Sequence, residues 1–198
     1  MDIESIKKNY RNFEDYQIIE LANTSANSLR PEIIPILEEE IKRRNLSENL
    51  LKGIQVQLKE PTPDEIQNYL SIVRQQSCSE CHSKTQKLNA FILTNVRSAI
   101  FVTTTRKQLK LACPDCLEKF KSGSTQKNLL LGWWAFPWGP IKTIQSLLAN
   151  HKAIKSVRED KPSDILVSFV YQNIGKLETD KDNPNALKHF LSQTNNLS

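Results

Sequence analysis

Apolar positions recur every three to four residues in the first part of the chain, and that spacing predicts helices. Over residues 12–46 the pattern predicts a helical hairpin. Asn12 is placed to cap the first helix, with Asp15 three positions on. Tyr16, Ile19 and Ala22 give this helix an apolar stripe, joined by Ile18 and Leu21. The polar run 23–28 breaks the stripe, and Pro31 suits the first turn of a second helix. Ile33, Ile34, Ile36, Leu37 and Ile41 form its expected buried side. Glu38, Glu39, Glu40, Lys42, Arg43 and Arg44 form its expected wet side, with the cations at the C-terminal end favoured by the helix dipole.

The period then changes. Residues 53–59 alternate apolar and polar, which predicts a short strand ended by Pro61. Thr62-Pro63-Asp64-Glu65 is a helix start, with Thr62 as cap, Pro63 at the first helical position and Glu65 closing a capping box. Ile66, Tyr69, Leu70 and Val73 follow at helical spacing, and this helix leads to Cys78. Strands are expected at 90–94 and 99–104, where β-branched and aromatic residues concentrate, with a turn at 95–98. Leu117 and Phe120 predict a short helical turn, which Ser122-Gly123-Ser124 breaks into a linker. Residues 141–148 read as an amphipathic helix. Pro162 opens another helix bearing Ile165, Leu166, Phe169, Val170 and Ile174, with a buried strand as rival because the apolar run is nearly continuous. Asn183-Pro184 starts a last short helix, and the Asn-rich tail is expected to fray.

The expected fold class is therefore α+β, in three consecutive parts. Residues 1–46 form a helical hairpin, 47–127 a zinc-ribbon-like domain, and 128–198 a Trp-rich segment with a C-terminal helical region. Composition agrees with small packed units. The hydrophobic fraction is 38% and the mean hydropathy −0.48, which is lean for one deep core. The formal charge is +5, less in a metal-bound form where four thiolates around Zn²⁺ carry a net charge of about −2. Such a charge permits contact with nucleic acid or an anionic membrane surface and requires neither.

The beginning, Met-Asp-Ile-Glu-Ser, has neither a basic leader nor an apolar core, so it does not read as a secretory signal. The expected location is cytoplasmic, extending to the inner membrane face. The longest apolar run spans residues 129–141 and contains two prolines. It falls short of the roughly 20 apolar residues of a membrane-spanning helix. It suits a segment lying on a membrane or buried in a protein partner.

Cys78, Cys81, Cys113 and Cys116 form two C-x-x-C pairs. Each pair can present two thiolates from one tight turn, and an intervening β-hairpin would bring the pairs to one ion. That is the layout of a zinc ribbon holding structural Zn²⁺. The gap of 31 residues between Cys81 and Cys113 exceeds that of compact ribbons and leaves room for a loop at 84–88. Three other chemistries share the spacing. Cys78-Ser79-Glu80-Cys81-His82 matches the haem attachment pattern, but leaves Cys113 and Cys116 without a role. Either pair can be a redox dithiol, and four cysteines can hold an iron–sulfur cluster. His82 is placed outside the coordination sphere.

Nothing else in the sequence points to catalysis. His82, His151 and His189 are scattered, and no Walker loop, dinucleotide glycine pattern or H-E-x-x-H occurs. Four thiolates would also leave a metal without a position for water. Two surfaces invite binding. Lys84, Lys87, Arg97, Arg106, Lys107 and Lys110 make the ribbon basic, as a nucleic-acid surface would be. Trp133, Trp134, Phe136 and Trp138, followed by Lys142, make a candidate protein or membrane surface. Glycine and proline there predict a bent, non-helical path.

The two cysteine pairs followed by Leu131-Gly132-Trp133-Trp134-x-x-Pro137-Trp138-Gly139-Pro140-Ile141 resemble a poorly characterised bacterial family that combines two C-x-x-C pairs with a G-W-W-x-x-P-W-G-P-I segment. The resemblance covers roughly residues 75–150, and Ala135 departs from the glycine of a similar form. Separately, Tyr10 to Leu46 looks like a helical module common in such bacteria, ending here in Glu40-Ile41-Lys42-Arg43-Arg44. The resemblance implies no established reaction. The leading expectation is a non-enzymatic zinc-stabilised adaptor that binds another protein, at a membrane surface in one version. A nucleic-acid-binding ribbon and a C-x-x-C thiol-redox enzyme are the alternatives. No small-molecule substrate is indicated.

Overall fold

Apolar residues at helical spacing in the first seventy residues do form helices. α1 spans Ile3–Asn12, α2 Asp15–Glu20, α3 Ile34–Arg43, α4 Asn49–Gln57 and α5 Pro63–Arg74. A hairpin follows, β1 Asn89–Ala99 and β2 Val102–Ala112. Then come α6 Pro114–Leu131, α7 Trp138–Val157, α8 Asp164–Gln172, α9 Ile174–Asp180 and α10 Pro184–Thr194. The computed structural model describes residues 3–99, 102–131, 138–158 and 160–195. Among these the fold is ten α-helices and a two-stranded antiparallel sheet. The chain divides into two compact units, Met1–Tyr69 with Phe169–Leu187 and Leu70–Ser168 with Lys188–Ser198. Each unit is assembled from separated stretches of chain rather than from consecutive segments.

The first unit is an apolar helical core. Ile18, Ala22, Leu37, Ile41 and Ile54 are all essentially inaccessible to solvent. The hairpin expected over 12–46 is more elaborate in structure. Asn12 ends α1 rather than capping a helix, and α2 is capped by Glu14, whose amide donates to Gln17 Oε1 at 2.9 Å. The polar run after α2 does not unwind but continues through a wider π turn, Leu21–Ser25, and then a tighter 3₁₀ turn, Ala26–Ser28. Part of the expected wet side of α3 is buried. Glu40 accepts from Arg43 and Arg44 at 2.6 Å each, and Arg44 also donates to Tyr10 O, Phe13 O and Asp15. Arg44 thus satisfies carbonyls at the end of α1 while neutralising a buried carboxylate.

Residues 53–59 contain no strand; most of them lie in α4. The alternating reading would bury Ile54, Val56 and Leu58, yet Leu58 is exposed while Leu50, Gly53 and Ile54 are buried on one helical face. That face meets α9. A Cβ on Gly53 would lie 2.7 Å from Gly175 O, and one on Gly175 would lie 2.7 Å from Asn23 O. Two glycines therefore let the backbones approach, a contact that no local pattern announces. Thr179 Oγ1 donates to Asn23 Oδ1 at 2.9 Å across the same junction. Tyr69 donates to buried Glu178 at 2.7 Å. The Thr62 start forms as expected, with Thr62 N donating to Glu65 Oε2 at 2.9 Å and Glu65 N to Thr62 Oγ1 at 3.2 Å.

The second unit is built on the hairpin. Its strands pair from Asn89↔Ala112 to Ala99↔Val102, longer than the predicted strands. Residues 95–98 are not a turn; they continue β1 opposite Arg106 to Thr103. A two-stranded sheet has two open edges, whose buried N–H and C=O groups need partners. Asparagines supply them. Asn150 Oδ1 accepts from Thr94 N and Asn128 Oδ1 from Val96 N, both at 2.8 Å, while both side-chain amides donate to Thr94 O. On the other edge Asn195 accepts from Leu111 N at 2.7 Å and donates to Leu111 O at 2.9 Å. The tail expected to fray is thus anchored at Asn195.

These bonds explain two further departures. Ser122-Gly123-Ser124 does not break α6, because Ser124 Oγ is held by Thr94 O at 3.2 Å and Asn95 Oδ1 at 2.8 Å within the same unit. The amphipathic helix expected at 141–148 forms as part of α7, but its apolar side faces outward. Thr143, Ser146 and Asn150 are buried, while Ile141, Ile144 and Leu148 are exposed. The inner side meets a strand edge and must be polar. The helix expected from Pro162 to Ile174 is two: α8 starts at Asp164, after Ser163 whose Oγ accepts from Leu166 N, and Ile174 opens α9 after a turn at Asn173; the strand rival is not seen.

Candidate functional site

The base of the hairpin brings the two C-x-x-C pairs together. Asn89 and Ala112 are cross-strand partners, so the turn before β1 and the helix start after β2 meet at one end. The first pair sits in a tight turn. Cys78 N donates to Ser83 O and His82 N to Cys78 O, both at 2.9 Å. His82 adopts φ 60°, the left-handed conformation that closes the turn, and its side chain is exposed outside the cluster. The second pair opens α6. Cys113 precedes Pro114 and accepts from Leu117 N, and Cys116 lies in the first turn.

All four sulfurs lie within 4.8 Å of one another, and Cys81 Sγ and Cys113 Sγ are 3.7 Å apart. Sulfurs on a tetrahedral ion with bonds of about 2.3 Å would be about 3.8 Å apart. A disulfide would need about 2.05 Å, and all four thiols are free. The cluster can therefore hold a metal ion without a disulfide. Its electrostatics differ between pairs. Burial alone would raise the Cys78 thiol, but the amides of Cys113, Cys81 and Glu80 outweigh it and bring it from 9.0 down to about 7. The Cys113 N–H is 3.4 Å from Cys78 Sγ. Burial pushes the Cys113 and Cys116 thiols up; a bound cation would reverse that. Asn195 buttresses the first knuckle through Ser79 Oγ at 3.0 Å and Glu80 Oε1 at 3.2 Å.

The six basic residues singled out on and around the hairpin are dispersed. Lys84 is exposed in the knuckle turn. Lys87 is tied to Asp160 at 3.1 Å. The Lys110 ammonium donates to Asn195 O, lies 5.3 Å from the Phe120 ring centre, and is held below its ordinary pKa by burial. Arg106 and Lys107 are successive strand residues and point to opposite faces. Arg97 and Arg106 share a face, through the pairs Arg97↔Thr104 and Asn95↔Arg106. They line a cleft of about 400 Å³ with Lys127 and Leu131 of α6. Phe91 is buried in the core. Trp133, Trp134 and Phe136 lie outside the described residues, as does the Trp138 side chain; Trp138 itself begins α7, and Lys142 is exposed on that helix.

Beside the cleft, α6 and α7 expose apolar side chains. The two helices run antiparallel, with Asn128 bonded to Ser146 at 2.9 Å and Ser124 to Asn150 at 3.4 Å. This register sets Leu129 to Leu131 level with Ile141 and Ile144 at one end of the pair. Leu130 is 71% exposed, Leu148 66% and Ile144 51%. Among the described residues no helix is long and apolar enough to cross a membrane. Sequence reading missed Asn128, Asn150 and Asn195. Its one usable signal was the Ser-and-Asn stripe 124, 128 and 146, 150, opposite the apolar one. Comparison with known proteins supplies no relative: no family model, no curated protein and no solved structure matches the chain.

Proposed function

We propose that the protein is a non-enzymatic, zinc-stabilised adaptor that docks on a membrane surface through the outer faces of α6 and α7. The carrying observation is the inversion of these helices. Where they cover the distal half of the hairpin their buried residues are Ser124, Asn128, Thr143, Ser146 and Asn150, and their apolar residues Leu129, Leu130, Ile144 and Leu148 stand in solvent, whereas Leu117, Ile154 and Val157 are buried near its base. Burying each such side chain would contribute roughly 1.5–3 kcal/mol. The surrounding charge suits an anionic surface. No carboxylate occurs in the sequence between Glu118 and Glu159, while Lys142 and Lys152 are exposed on α7. Apolar burial combined with attraction to anionic lipid is how a helix lies on a bilayer.

Zinc is the reading of the metal because an all-sulfur set of tetrahedral size suits it, and the hairpin between knuckles is the layout of a zinc ribbon. Four thiolates close the coordination shell, which favours structure over catalysis. The test is co-sedimentation of the full-length protein with vesicles. Binding to anionic vesicles, weakened by salt and lost in the I144N/L148N variant, is the expected outcome. Equal recovery of that variant and the parent would overturn the docking surface. For the metal, native mass spectrometry should find one zinc per chain. A folded, metal-free chain with reversible disulfides would favour the redox alternative instead.

A further inference from the structure

We infer that the cleft between the distal half of the hairpin and the C-terminal end of α6 binds a phosphomonoester carried by a lipid headgroup. The inference rests on the docking reading and names the ligand of that surface. Arg97, Arg106 and Lys127 line the cleft together with Asn95, Thr104 and Gln108, and among the described residues no carboxylate lines it. The cross-strand pairs place both arginines on one face of the hairpin, with Lys127 arriving from α6. Among the described residues none of these three cations has an ion-pair partner; the salt bridges of this unit lie at Asp160 and Glu118. Like charges gathered without a counter-charge repel, and an anion relieves that repulsion.

Chemistry narrows the anion. A guanidinium is a planar fork that matches phosphate oxygens in pairs, and the lysine adds a point charge. A phosphomonoester carries about −1.5 to −2 near neutral pH. It therefore answers three cations better than a phosphodiester, with its single charge. The volume of about 400 Å³ accommodates a phosphate with a small attached group. The position narrows the source. Leu131 closes the cleft and is itself exposed, at the end of the helix pair where Leu129, Ile141 and Ile144 are also exposed. A free phosphate has no use for an apolar rim, whereas a lipid brings acyl chains to it.

The experiment uses the full-length, metal-loaded protein and phosphatidylcholine vesicles doped with either phosphatidic acid or phosphatidylglycerol, matched in surface charge. Binding to phosphatidic acid is expected to be about tenfold tighter, the effect of roughly one charge-assisted hydrogen bond. The R97Q/R106Q variant should lose that preference while keeping the binding to phosphatidylglycerol vesicles. Metal content and far-UV circular dichroism establish that the variant is folded. Equal affinity for the two lipids, unchanged in the variant, would overturn the cleft and leave the docking surface standing. Failure of the parent protein to bind any vesicle would overturn both. In that case calorimetry with inorganic phosphate reports on the cleft by itself: arginine-dependent binding there would mean a soluble source and still overturn the lipid assignment. Tighter binding to an oligonucleotide than to phosphatidic acid vesicles would do the same.

Discussion

The two units bury different mixtures of surface. The first is filled by Ile18, Leu37, Ile41 and Ile54, with buried carboxylates at Glu40, Glu178 and Asp180 that are each paired to a cation. The second also has an apolar base, around Phe91, Leu111 and Leu117, but away from that base Asn128, Ser146, Asn150 and Thr143 are buried beside Leu93 and Val96. Helices that pack on helices can bury side chains that ask for no partner. Helices that cover a strand edge meet backbone groups that do. Covering the edge of a two-stranded sheet therefore forces polar residues inward and displaces apolar ones outward. In the proposed function the docking surface is the by-product of that exchange, and a metal held by the four cysteines would compensate for the thin apolar core around the hairpin.

This contrast can be broken at several points. The largest effect is expected from Cys78→Ser. Structural zinc in small modules is worth about 10–16 kcal/mol of apparent binding free energy. The variant should lose its metal and the protection of β1 and β2 amides in hydrogen exchange, while α3 and α4 keep theirs. Simultaneous loss of protection in both units would refute the division.

Leu37→Ala should act in the reverse sense. Leu37 is fully buried, so the cavity should cost about 2–5 kcal/mol. Denaturant unfolding should show that loss with the metal content unchanged. Asn128→Leu is smaller and tests the polar interior. It strands the Val96 amide and takes a donor from Thr94 O. A destabilisation of about 1–3 kcal/mol is expected, although the substitution adds apolar surface. A gain in stability would mean that the edge groups find other partners.

Acid should separate the units. Glu40 is lowered from 4.5 to about 2, chiefly by its hydrogen bond to Arg43 and then by Arg44, against burial. A lowered folded-state pKa contributes stability that is present above pH 4.5 and lost as pH falls toward 2. The metal cluster responds earlier, because protons compete for its thiolates. Metal release and hairpin opening should therefore precede loss of α3 helicity in an acid titration. The smallest effect is Thr62→Ala, which removes one helix cap and should cost about 1 kcal/mol by thermal unfolding.

How legible each region was follows from where its determinants lie. The start at Thr62-Pro63-Asp64-Glu65 could be read because a capping box closes within four residues. The cysteine cluster could be read because the knuckle spacing is local and the hairpin between was recognisable. The strand predicted at 53–59 failed because alternation and helical spacing overlap in a short segment, and Gly175 decided between them from across the chain. The break predicted at Ser122-Gly123-Ser124 failed because a local helix breaker costs only about 1 kcal/mol, which the bonds of Ser124 to the hairpin offset.

By itself the sequence determined most of the helical periodicity, the cap at Thr62 and the two close-spaced cysteine pairs, since each depends on residues a few steps apart. Only the tertiary structure decided which way α7 faces, that Glu40 and Arg44 are inside, and that Arg97, Arg106 and Lys127 share a cleft. Those outcomes depend on which backbone groups a helix meets across the fold. An amphipathic pattern fixes that a helix has two faces, and the partner it packs against fixes which one is buried.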